Sequence, residues 1–393
     1  MGGRILYLDN FTAAVAADPS NRARGLPSSA IGYGITASRA IQCGLADRGW
    51  QVTRPRMPTA GPHPDRMAQM RWVVDTYAAV LDELTSHPPD LIFCFHSFAA
   101  FPVEIRRMLL DLDLSVPVVG YTHGSHWDDT DSYRFERYPG MELADLANLH
   151  VLDRVLLVSD YMHATLRRSI GRLSDGLADE VLSKSRVVGL PLDVTTIDQY
   201  RCATPCERTT VVFNHAPVSS KDPGRFAGVM TRIMKRHDVD VLVTRSFTPS
   251  SPGGPEMLEL AAHFPDRVRL AGDLPLADYY RGLWQSQLQV STARHESLGI
   301  ATLEAMYTRT CCVLPKIGSY PEICSYHPEV LYEPASPGSD DVELEERITH
   351  FLDNPETRER VACDLARFAT RYRPAVVVAA IDRVLRELCA PPG

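Results

Sequence analysis

The sequence predicts an α/β protein in which two doubly wound parallel sheets face one another across a cleft. Ten short apolar runs alternate with stretches of helical length, and continuously apolar strands are typical of parallel sheets covered on both faces. The 393 residues exceed one typical compact domain. A polar stretch without periodicity, TTIDQYRCATPCER at 195–208, divides the apolar runs into two groups, and each group is sufficient for one sheet.

Apolar runs with flanking turn residues predict strands on both sides of this polar stretch. On its N-terminal side the predicted strands are 5–11, 90–95, 117–123, 154–159 and 186–192. On its C-terminal side they are 209–216, 239–244, 268–273, 288–293 and 311–316. Helical patterns such as MRWVVDTYAAVLDELTS and YMHATLRRSI lie between the strands.

These patterns define the predicted domain organisation. We expect an N-terminal domain at 1–195, a linker at 196–207, a C-terminal domain at 208–375 and a C-terminal helix at 376–393 that could pack on either domain. The carboxyl ends of the strands in two such sheets meet at a shared cleft. The cleft is therefore the expected site of the chemistry.

Composition limits the class of protein. The hydrophobic fraction of 45% and the charged fraction of 23% are those of ordinary soluble proteins, and no apolar run suggests a membrane span or signal peptide. Nine scattered cysteines, an odd number, argue against a disulfide framework and favour free thiols in the cytoplasm. The net charge of −8 disfavours a broad surface for polyanions, although a local basic patch remains possible.

The most informative stretch is HESLGIATLE at 295–304. A predicted strand ends just before it, and the apolar residues that follow fit the buried stripe of a helix. Gly299 keeps the helix entrance bare, so that the amides of Leu298, Gly299 and Ile300 could meet a polar ligand. Glu296 and Glu304 could accept hydrogen bonds from the vicinal hydroxyls of ribose or a hexose. The alternative is an ordinary acidic first turn.

A second stretch, FNHAPVSSKDPGRF at 213–226, joins a strand to a helix. The strand stops at Asn214, and Asp222 and Pro223 are a typical N-cap and first residue of a helix. Lys221 would lie beside the positive end of the helix dipole, which is unfavourable unless an anion offsets it. This position predicts a phosphate near Lys221, and a solvated surface lysine is the alternative.

Two further stretches give weaker signals. Gly32 and Gly34 precede a predicted helix of about 14 residues that ends at Gly49, and they fit a binding loop or a structural loop equally well. His123 ends a predicted strand and could act as a hydrogen-bonding group in the cleft. His96 is a similar case.

A metal site near His123 is a third possibility, because His126, Asp128 and Asp129 follow it. No other residue spacing supports a metal ion, and a structural histidine remains the other alternative. We therefore predict no metal site.

The residues ESLGIATLEA resemble the E-x7-E segment of retaining GT-B glycosyltransferases of glycosyltransferase family 4. The resemblance implies the GT-B fold, two Rossmann-like domains around a cleft, with Glu304 binding the nucleotide ribose. It also implies that Glu296 lies near the donor sugar and that Lys221 faces the diphosphate. His123 resembles the family's histidine at the cleft end of an N-terminal strand.

A narrower likeness covers NHAPVSSKDP and residues 278–323, which are similar to the branch of tRNA-queuosine mannosyltransferases. It implies a modified nucleoside in tRNA as the acceptor, but a small molecule or a modified DNA base is equally compatible. Position 216 is Ala where this family has an arginine, which puts the usual arginine-plus-lysine phosphate clamp in doubt. By position alone, Arg245 or Arg294 could supply the missing charge.

The resemblance therefore implies a retaining glycosyltransferase that moves a sugar from a UDP or GDP sugar to an acceptor hydroxyl. It implies no cofactor and no divalent metal, since Lys221 and the helix-entrance amides would neutralise the diphosphate. Two alternatives remain. One is a GT-B nucleotide-sugar 2-epimerase, and the other is a non-catalytic protein that binds a nucleotide sugar.

Overall fold

A computed structural model describes residues 2–9, 28–55, 66–97, 101–122, 127–128, 130, 141–202, 208–272, 274–334 and 341–390. The strands of the N-terminal half are β1 Arg4–Leu8, β2 Gln51–Thr53, β3 Leu91–Cys94, β4 Val118–Thr122, β5 Arg154–Leu157 and β6 Ser185–Val187. They form a parallel six-stranded sheet in the order β2-β1-β3-β4-β5-β6. Strand order reverses beside β1, as a doubly wound sheet requires.

The C-terminal half forms a second six-stranded sheet, in the order β12-β11-β10-β7-β8-β9. Every neighbouring pair in it is parallel. Its strands are β7 Thr209–Phe213, β8 Val239–Val243, β9 Val268–Leu270, β10 Leu288–Val290, β11 Cys311–Pro315 and β12 Leu331–Tyr332.

Helices connect the strands of both sheets. Those of the N-terminal half are α1 Ser28–Ala46, α2 Arg66–Ser86, α3 Pro102–Asp111, α4 Met141–Val151, α5 Asp160–Gly171, α6 Asp175–Ser183 and α7 Val194–Gln199. Those of the C-terminal half are α8 Pro223–Met234, α9 Gly254–His263, α10 Leu276–Gln285, α11 Ile300–Tyr307, α12 Tyr320–Ile323, α13 Val342–Asp353, α14 Pro355–Ala369 and α15 Pro374–Cys389. No helix among the described residues is both long and apolar enough to cross a bilayer.

The predicted fold class is confirmed. All of the predicted strands are present, although each is shorter than predicted, and β1 ends at Leu8. The structure adds the two edge strands β2 and β12, of 3 and 2 residues, which were missed. Such short, partly exposed strands carry too few apolar residues to stand out from a loop.

Burial explains why the central strands are apolar along their whole length. Ile5 and Tyr7 pack into one apolar cluster, whereas Leu6 and Leu8 pack into another on the opposite face of the same sheet. All four are at most 1% exposed. Each such side chain contributes about 1.5 to 3 kcal/mol to folding, so helices on both faces stabilise the sheet.

The last helix, α15, packs on the N-terminal half. Val378 contacts α1 so closely that a Cβ at Gly44 would lie 2.9 Å from its Cγ1 atom. The indole Nε1 of Trp50 donates a hydrogen bond of 2.6 Å to Asp382. The chain therefore crosses between the halves twice, first near α7 and again just before α15.

The structure corrects the interpretation of Gly32 and Gly34. Both lie inside α1, which begins at Ser28 and has 19 residues, rather than before it. From the fifth residue of an α-helix onward, the backbone N–H bonds to the carbonyl four residues earlier. These glycines therefore do not form a ligand-binding loop. Gly49 follows the helix with φ of 88°, which agrees with its predicted capping role.

The predicted linker at 196–207 begins inside α7, and residues 203–207 lie outside the described part of the chain. The periodicity of α7 is too short to recognise, because the helix has only 6 residues.

Candidate active site

The two halves meet at the carboxyl ends of their strands. After β5, the hydroxyl of Ser159 donates a hydrogen bond of 2.7 Å to the carbonyl of Ser297 in the other half. The backbone N–H of Tyr161, at the start of α5, donates to a carboxylate oxygen of Glu322 at 3.2 Å. The loops after β7 and β10 line the same cleft, where the sequence predicted the chemistry.

Lys221 and Glu296 form an ion pair in this cleft. The Nζ atom of Lys221 donates to Oε2 of Glu296 at 2.7 Å and to the carbonyl of His295 at 2.8 Å. The two side chains are only 15% and 14% exposed. Burial raises the pKa of Glu296, but the charge and hydrogen bond of Lys221, together with His215 and His295, outweigh burial and lower the pKa overall. Glu296 is therefore an ionised group held by a cation.

The loop between β10 and α11 needs glycine at position 299. Gly299 has φ of 83°, in the left-handed region that favours glycine. A Cβ there would lie 3.0 Å from Cε1 of Tyr320 and 3.2 Å from Cγ of Glu296. Leu298 is buried and anchors the loop, and Ile300 is the first residue of α11. The first backbone N–H groups of α11 have no partner within the helix, and so they can meet a ligand.

Glu304 lies further along α11 and is held in a different way. The hydroxyls of Tyr279 and Tyr280 donate to its two carboxylate oxygens at 2.6 Å and 2.9 Å. Burial raises the pKa of Glu304, and the two tyrosine hydrogen bonds and the charge of Arg245 only partly offset this effect. Each carboxylate oxygen has two lone pairs, and so each can accept a further hydroxyl. The sequence analysis did not identify these tyrosines, which appear in the sequence only as the adjacent pair in ADYYRG.

Arg245 and Arg294 occupy different environments. Arg294 is 65% exposed and pairs with Asp222, with its Nη2 atom 2.6 Å from the carboxylate. Asp222 therefore bonds Arg294, and its side chain does not cap α8 as predicted, although Pro223 does begin that helix. The guanidinium of Arg245 lies 5.6 Å from the centre of the Tyr279 ring, and its charge reaches Glu304. Of the two arginines, Arg245 is therefore better placed to supply a positive charge in the cleft.

Asn214 belongs to a buried network behind the cleft. Its side chain is fully buried, donates to the carbonyl of Ala301 at 2.8 Å and accepts from Gln289 at 2.9 Å. It thereby fixes the start of α11 to β7. The next residue, His215, was missed by the sequence interpretation. Burial lowers its pKa to about 3, so it is a neutral side chain.

His123 lies outside the described residues, as do His126 and Asp129. Asp128 is described, and it accepts hydrogen bonds from the hydroxyls of Tyr161 at 2.5 Å and Thr130 at 2.7 Å. Its carboxylate also lies 3.3 Å from Nδ1 of His295 in the other half.

His295, which the sequence analysis did not identify as a site residue, contacts the N-terminal half. Its Nδ1 atom lies 2.9 Å from the hydroxyl of Thr130. His96 is buried, which lowers its pKa to about 4 and keeps it neutral. In the part of the chain that the structure describes, no group of three or more histidine, cysteine or acidic residues could hold a metal ion.

Residues 256–363 match the family described as glycosyl transferases group 1. The matched segment contains Glu296, Glu304 and the tyrosines that hold Glu304, whereas Lys221 and Arg245 precede it. The segment covers the second part of the C-terminal half and none of the N-terminal half.

Solved structures are similar over nearly the whole chain. Sucrose-phosphate synthase from Thermosynechococcus elongatus has a TM-score of 0.72 and 15% identity, with 99% of both chains covered. Anabaena HepE in complex with UDP has a TM-score of 0.64 and 15% identity, covering 98% of this chain and 100% of that one. A UDP-forming α,α-trehalose-phosphate synthase from Burkholderia xenovorans has a TM-score of 0.62 and 14% identity, covering 83% and 80%. The fold is therefore GT-B.

Proposed function

We propose that this protein is a retaining glycosyltransferase that moves a sugar from a nucleotide-diphosphate sugar to an acceptor hydroxyl. The supporting observation is that two chemically different sets of polar groups lie near the N-terminal end of α11. Lys221 and the first amides of α11 suit a diphosphate, and Glu304 suits a diol. Gly299 and Glu304 are about 7 to 8 Å apart along the helix axis, given a rise of about 1.5 Å per residue. The group 1 match of residues 256–363 supports the same activity.

The donor would lie with its ribose on Glu304 and its diphosphate near Lys221. The ammonium of Lys221 has three N–H donors, and two of them bond Glu296 and His295. The third is available to a phosphate oxygen, together with the amides of Leu298, Gly299 and Ile300. The structure of HepE, which has the same fold, was solved in complex with UDP. A UDP or GDP sugar is the proposed donor.

The charge balance of this site gives Arg245 a role. Glu296 already compensates the charge of Lys221, and position 216 is Ala, so Lys221 alone does not neutralise a diphosphate. Arg245 is the proposed second cation, because its charge acts on His215, as the charges of Lys221 and Glu296 also do, whereas Arg294 is 65% exposed. With both cations in place, no divalent metal or cofactor is required.

The proposed chemistry is a substitution at the anomeric carbon. The bond from that carbon to the diphosphate oxygen breaks with its electron pair on the oxygen. The acceptor oxygen forms the new bond on the same face, and its proton passes to the leaving phosphate. Lys221 and the α11 amides stabilise the departing anion as preorganised donors, which elsewhere are worth about 10² to 10³ in rate. Glu296 orients Lys221 and faces the donor sugar.

The acceptor would enter from the N-terminal half, and His123 is proposed to orient it. The likeness to the queuosine branch supports a modified nucleoside in tRNA, and a small molecule or a modified DNA base has the same reactive hydroxyl. The reducing environment suggested by the cysteines supports a cytoplasmic location.

A thermal-shift screen followed by two incubations tests this function. In the screen, UDP, GDP and ADP are compared, since a nucleotide that binds the folded protein raises its apparent stability. Sugars of the tightest-binding nucleotide are then incubated with the protein alone and with candidate acceptors. Transfer that requires an acceptor supports the proposal. A new isomer of the donor without acceptor would identify an epimerase, and binding without turnover would identify a sensor.

A further inference from the structure

A recess lies on the C-terminal half where the chain crosses between the halves. We name it the crossover recess. Its volume is about 690 Å³, and its walls include Arg201, Trp284, Tyr307, Arg309, Arg367 and Arg373. Arg201 follows α7 on the first crossing, and Arg373 precedes α15 on the second. The other residues come from the ends of α10, α11 and α14, away from the donor site on Glu296 and Lys221.

The recess is strongly positive although the whole chain has a net charge of −8. Arg367 pairs with Asp364 at 2.9 Å. Among the described residues, Arg201, Arg309 and Arg373 form no ion pair with a carboxylate. The one carboxylate that lines the recess in the described part of the chain, Asp198, accepts a hydrogen bond of 2.9 Å from the hydroxyl of Tyr307. With the single negative charge of Asp198, the three arginines without an ion pair give the recess a net charge of about +2.

Aromatic rings hold two of the guanidinium groups in place. The guanidinium of Arg201 lies 5.1 Å from the centre of the Trp284 ring, and that of Arg373 lies 5.9 Å from the centre of the Tyr307 ring. The two rings meet edge to face at 6.5 Å, and the indole of Trp284 is fixed by a hydrogen bond of 3.0 Å to the carbonyl of Ile197. Because the ring faces carry guanidinium groups, the recess presents planar cationic donors, which suit phosphate oxygens.

The backbone of Arg309 is a second, independent observation. Arg309 follows the end of α11 with φ of 61°, a left-handed conformation that glycine usually supplies at this position of a helix. A residue with a Cβ atom costs about 1 to 2 kcal/mol in this conformation. A strained arginine whose side chain lines the recess indicates a role for that side chain.

We propose that the crossover recess binds a small anion that carries one or two phosphate groups. A phosphate group carries about −1.5 to −2 charges at neutral pH, so one such group balances the net positive charge of the recess, and a second provides acceptors for the remaining guanidinium donors. The volume lies in the range of small-ligand sites, about 300 to 1,000 Å³. The inference does not depend on the proposed transferase activity, because none of its residues holds the donor.

Calorimetric titration with inorganic pyrophosphate tests the site on the full chain. The variant is the double substitution Arg201→Gln with Arg309→Gly, which removes two cations and relieves the positive φ. The control is Arg167→Gln, since Arg167 is an exposed arginine paired with Asp179 on the N-terminal half. We expect the double variant to bind pyrophosphate at the recess at least about tenfold more weakly, and the control to bind like the wild type.

A third variant, Lys221→Ala, distinguishes pyrophosphate binding at the donor site from binding at the crossover recess. If both sites bind pyrophosphate, the wild type takes up two equivalents, and each variant loses a different one. If the transferase proposal fails, the wild type takes up one equivalent, and only the double variant loses it. A wild type without pyrophosphate binding, or a double variant that binds as the wild type does, would overturn the inference. Recess binding of a short single-stranded RNA, but not of pyrophosphate, would also overturn it.

Discussion

Glu296 lies just before α11 and Glu304 lies within it, but the two carboxylates have opposite kinds of hydrogen-bond partner. Glu296 bonds an ammonium, which lowers its pKa, whereas Glu304 bonds two phenols, and burial raises its pKa. A carboxylate satisfied by hydroxyls is suited to accept further hydroxyls. A carboxylate tied to a lysine instead fixes the position of a cation. In the proposed function, this difference places the ribose of the donor at the Glu304 end and its diphosphate at the Glu296 end.

The two ends also depend on different parts of the chain. The Glu296 end is completed by Lys221, from the loop after β7, and by the carbonyl of His295. The Glu304 end is completed by α10, which supplies both tyrosines. The two ends can therefore be disturbed separately, and each of the following predictions uses this separation.

The largest effect is expected from Lys221→Ala. The substitution removes the preorganised cation from the leaving diphosphate, and turnover should fall by about 10² to 10³. It also leaves Glu296 partly buried without its partner, which should lower the free energy of unfolding by about 3 to 5 kcal/mol. Turnover is measured with the tightest-binding nucleotide sugar, and stability by urea unfolding.

The matched control for Lys221→Ala is Lys316→Ala. Lys316 also pairs with a glutamate, Glu333, at 2.6 Å, but its side chain is 55% exposed. An ion pair that is exposed to solvent contributes little to stability, and Lys316 lies outside the proposed donor site, so this variant should keep its stability and its turnover. Full turnover in Lys221→Ala would remove the cation from the mechanism. Adding Glu296→Gln to Lys221→Ala should restore stability but not turnover.

Glu304→Ala should reduce turnover by at least about tenfold, because ribose hydroxyls lose a charged acceptor worth about 1.5 to 3 kcal/mol. Tyr280→Phe removes one donor to Glu304 and keeps the carboxylate. Its loss of turnover should be smaller than that of Glu304→Ala, and its free energy of unfolding should fall by about 1 kcal/mol. Steady-state kinetics on both variants check the order. A larger loss of turnover in Tyr280→Phe than in Glu304→Ala would contradict the assignment of the ribose to the carboxylate.

Gly299→Ala sharpens the comparison at the point between the two ends. The positive φ disfavours alanine by about 1 to 2 kcal/mol, and the new Cβ would press on Tyr320 and Glu296. We expect a lower free energy of unfolding and weaker nucleotide binding. Gly228→Ala is the control, since that glycine lies inside α8 and its nearest neighbour, Nη1 of Arg232, is 3.8 Å away. Equal effects of the two substitutions would contradict the constraint at position 299.

The smallest effect is the pH dependence of stability, and its sign differs between the two carboxylates. The pKa of Glu304 is raised above its ordinary 4.5, so its contribution is fully present below 4.5 and is lost as pH rises through the folded pKa. The pKa of Glu296 is lowered, so its contribution is present above 4.5 and is lost as pH falls through the folded pKa. Each slope is at most about 1.4 kcal/mol per pH unit.

Urea unfolding of the wild type, Glu304→Gln and Glu296→Gln on either side of pH 4.5 measures these slopes. Glu304→Gln should remove a loss of stability that occurs at rising pH, and Glu296→Gln one that occurs at falling pH. The same sign for both variants would contradict the distinction between the two carboxylates.

The central strands were predictable because burial on both faces leaves an unbroken apolar run, as in Leu91–Cys94. The edge strand Leu331–Tyr332 was not, since two residues carry no period. The prediction of a loop at Gly32 and Gly34 was wrong because the local pattern was again ambiguous. A glycine-containing stretch before an apolar pattern fits a loop or a helix, and tertiary packing decides between them.

The candidate site could be proposed from the sequence where its residues are close together, as in the segment from Glu296 to Glu304. Contacts between distant elements were not visible. Tyr279 and Tyr280 meet Glu304 only because α10 and α11 pack together, and His295 meets Thr130 only because the two halves face one another. Asn214 lies at the strand end as predicted, but its amide faces the buried network.

The central claim is that Glu304 accepts hydrogen bonds from the ribose of the donor nucleotide. The most direct test is a double-mutant-type binding cycle with two proteins and two ligands. The wild type and Glu304→Gln are each titrated with the preferred nucleotide and with its 2′,3′-dideoxy analogue. We predict that loss of the two hydroxyls weakens binding to the wild type by at least about tenfold and leaves binding to the variant nearly unchanged. An equal loss in both proteins would contradict the claim.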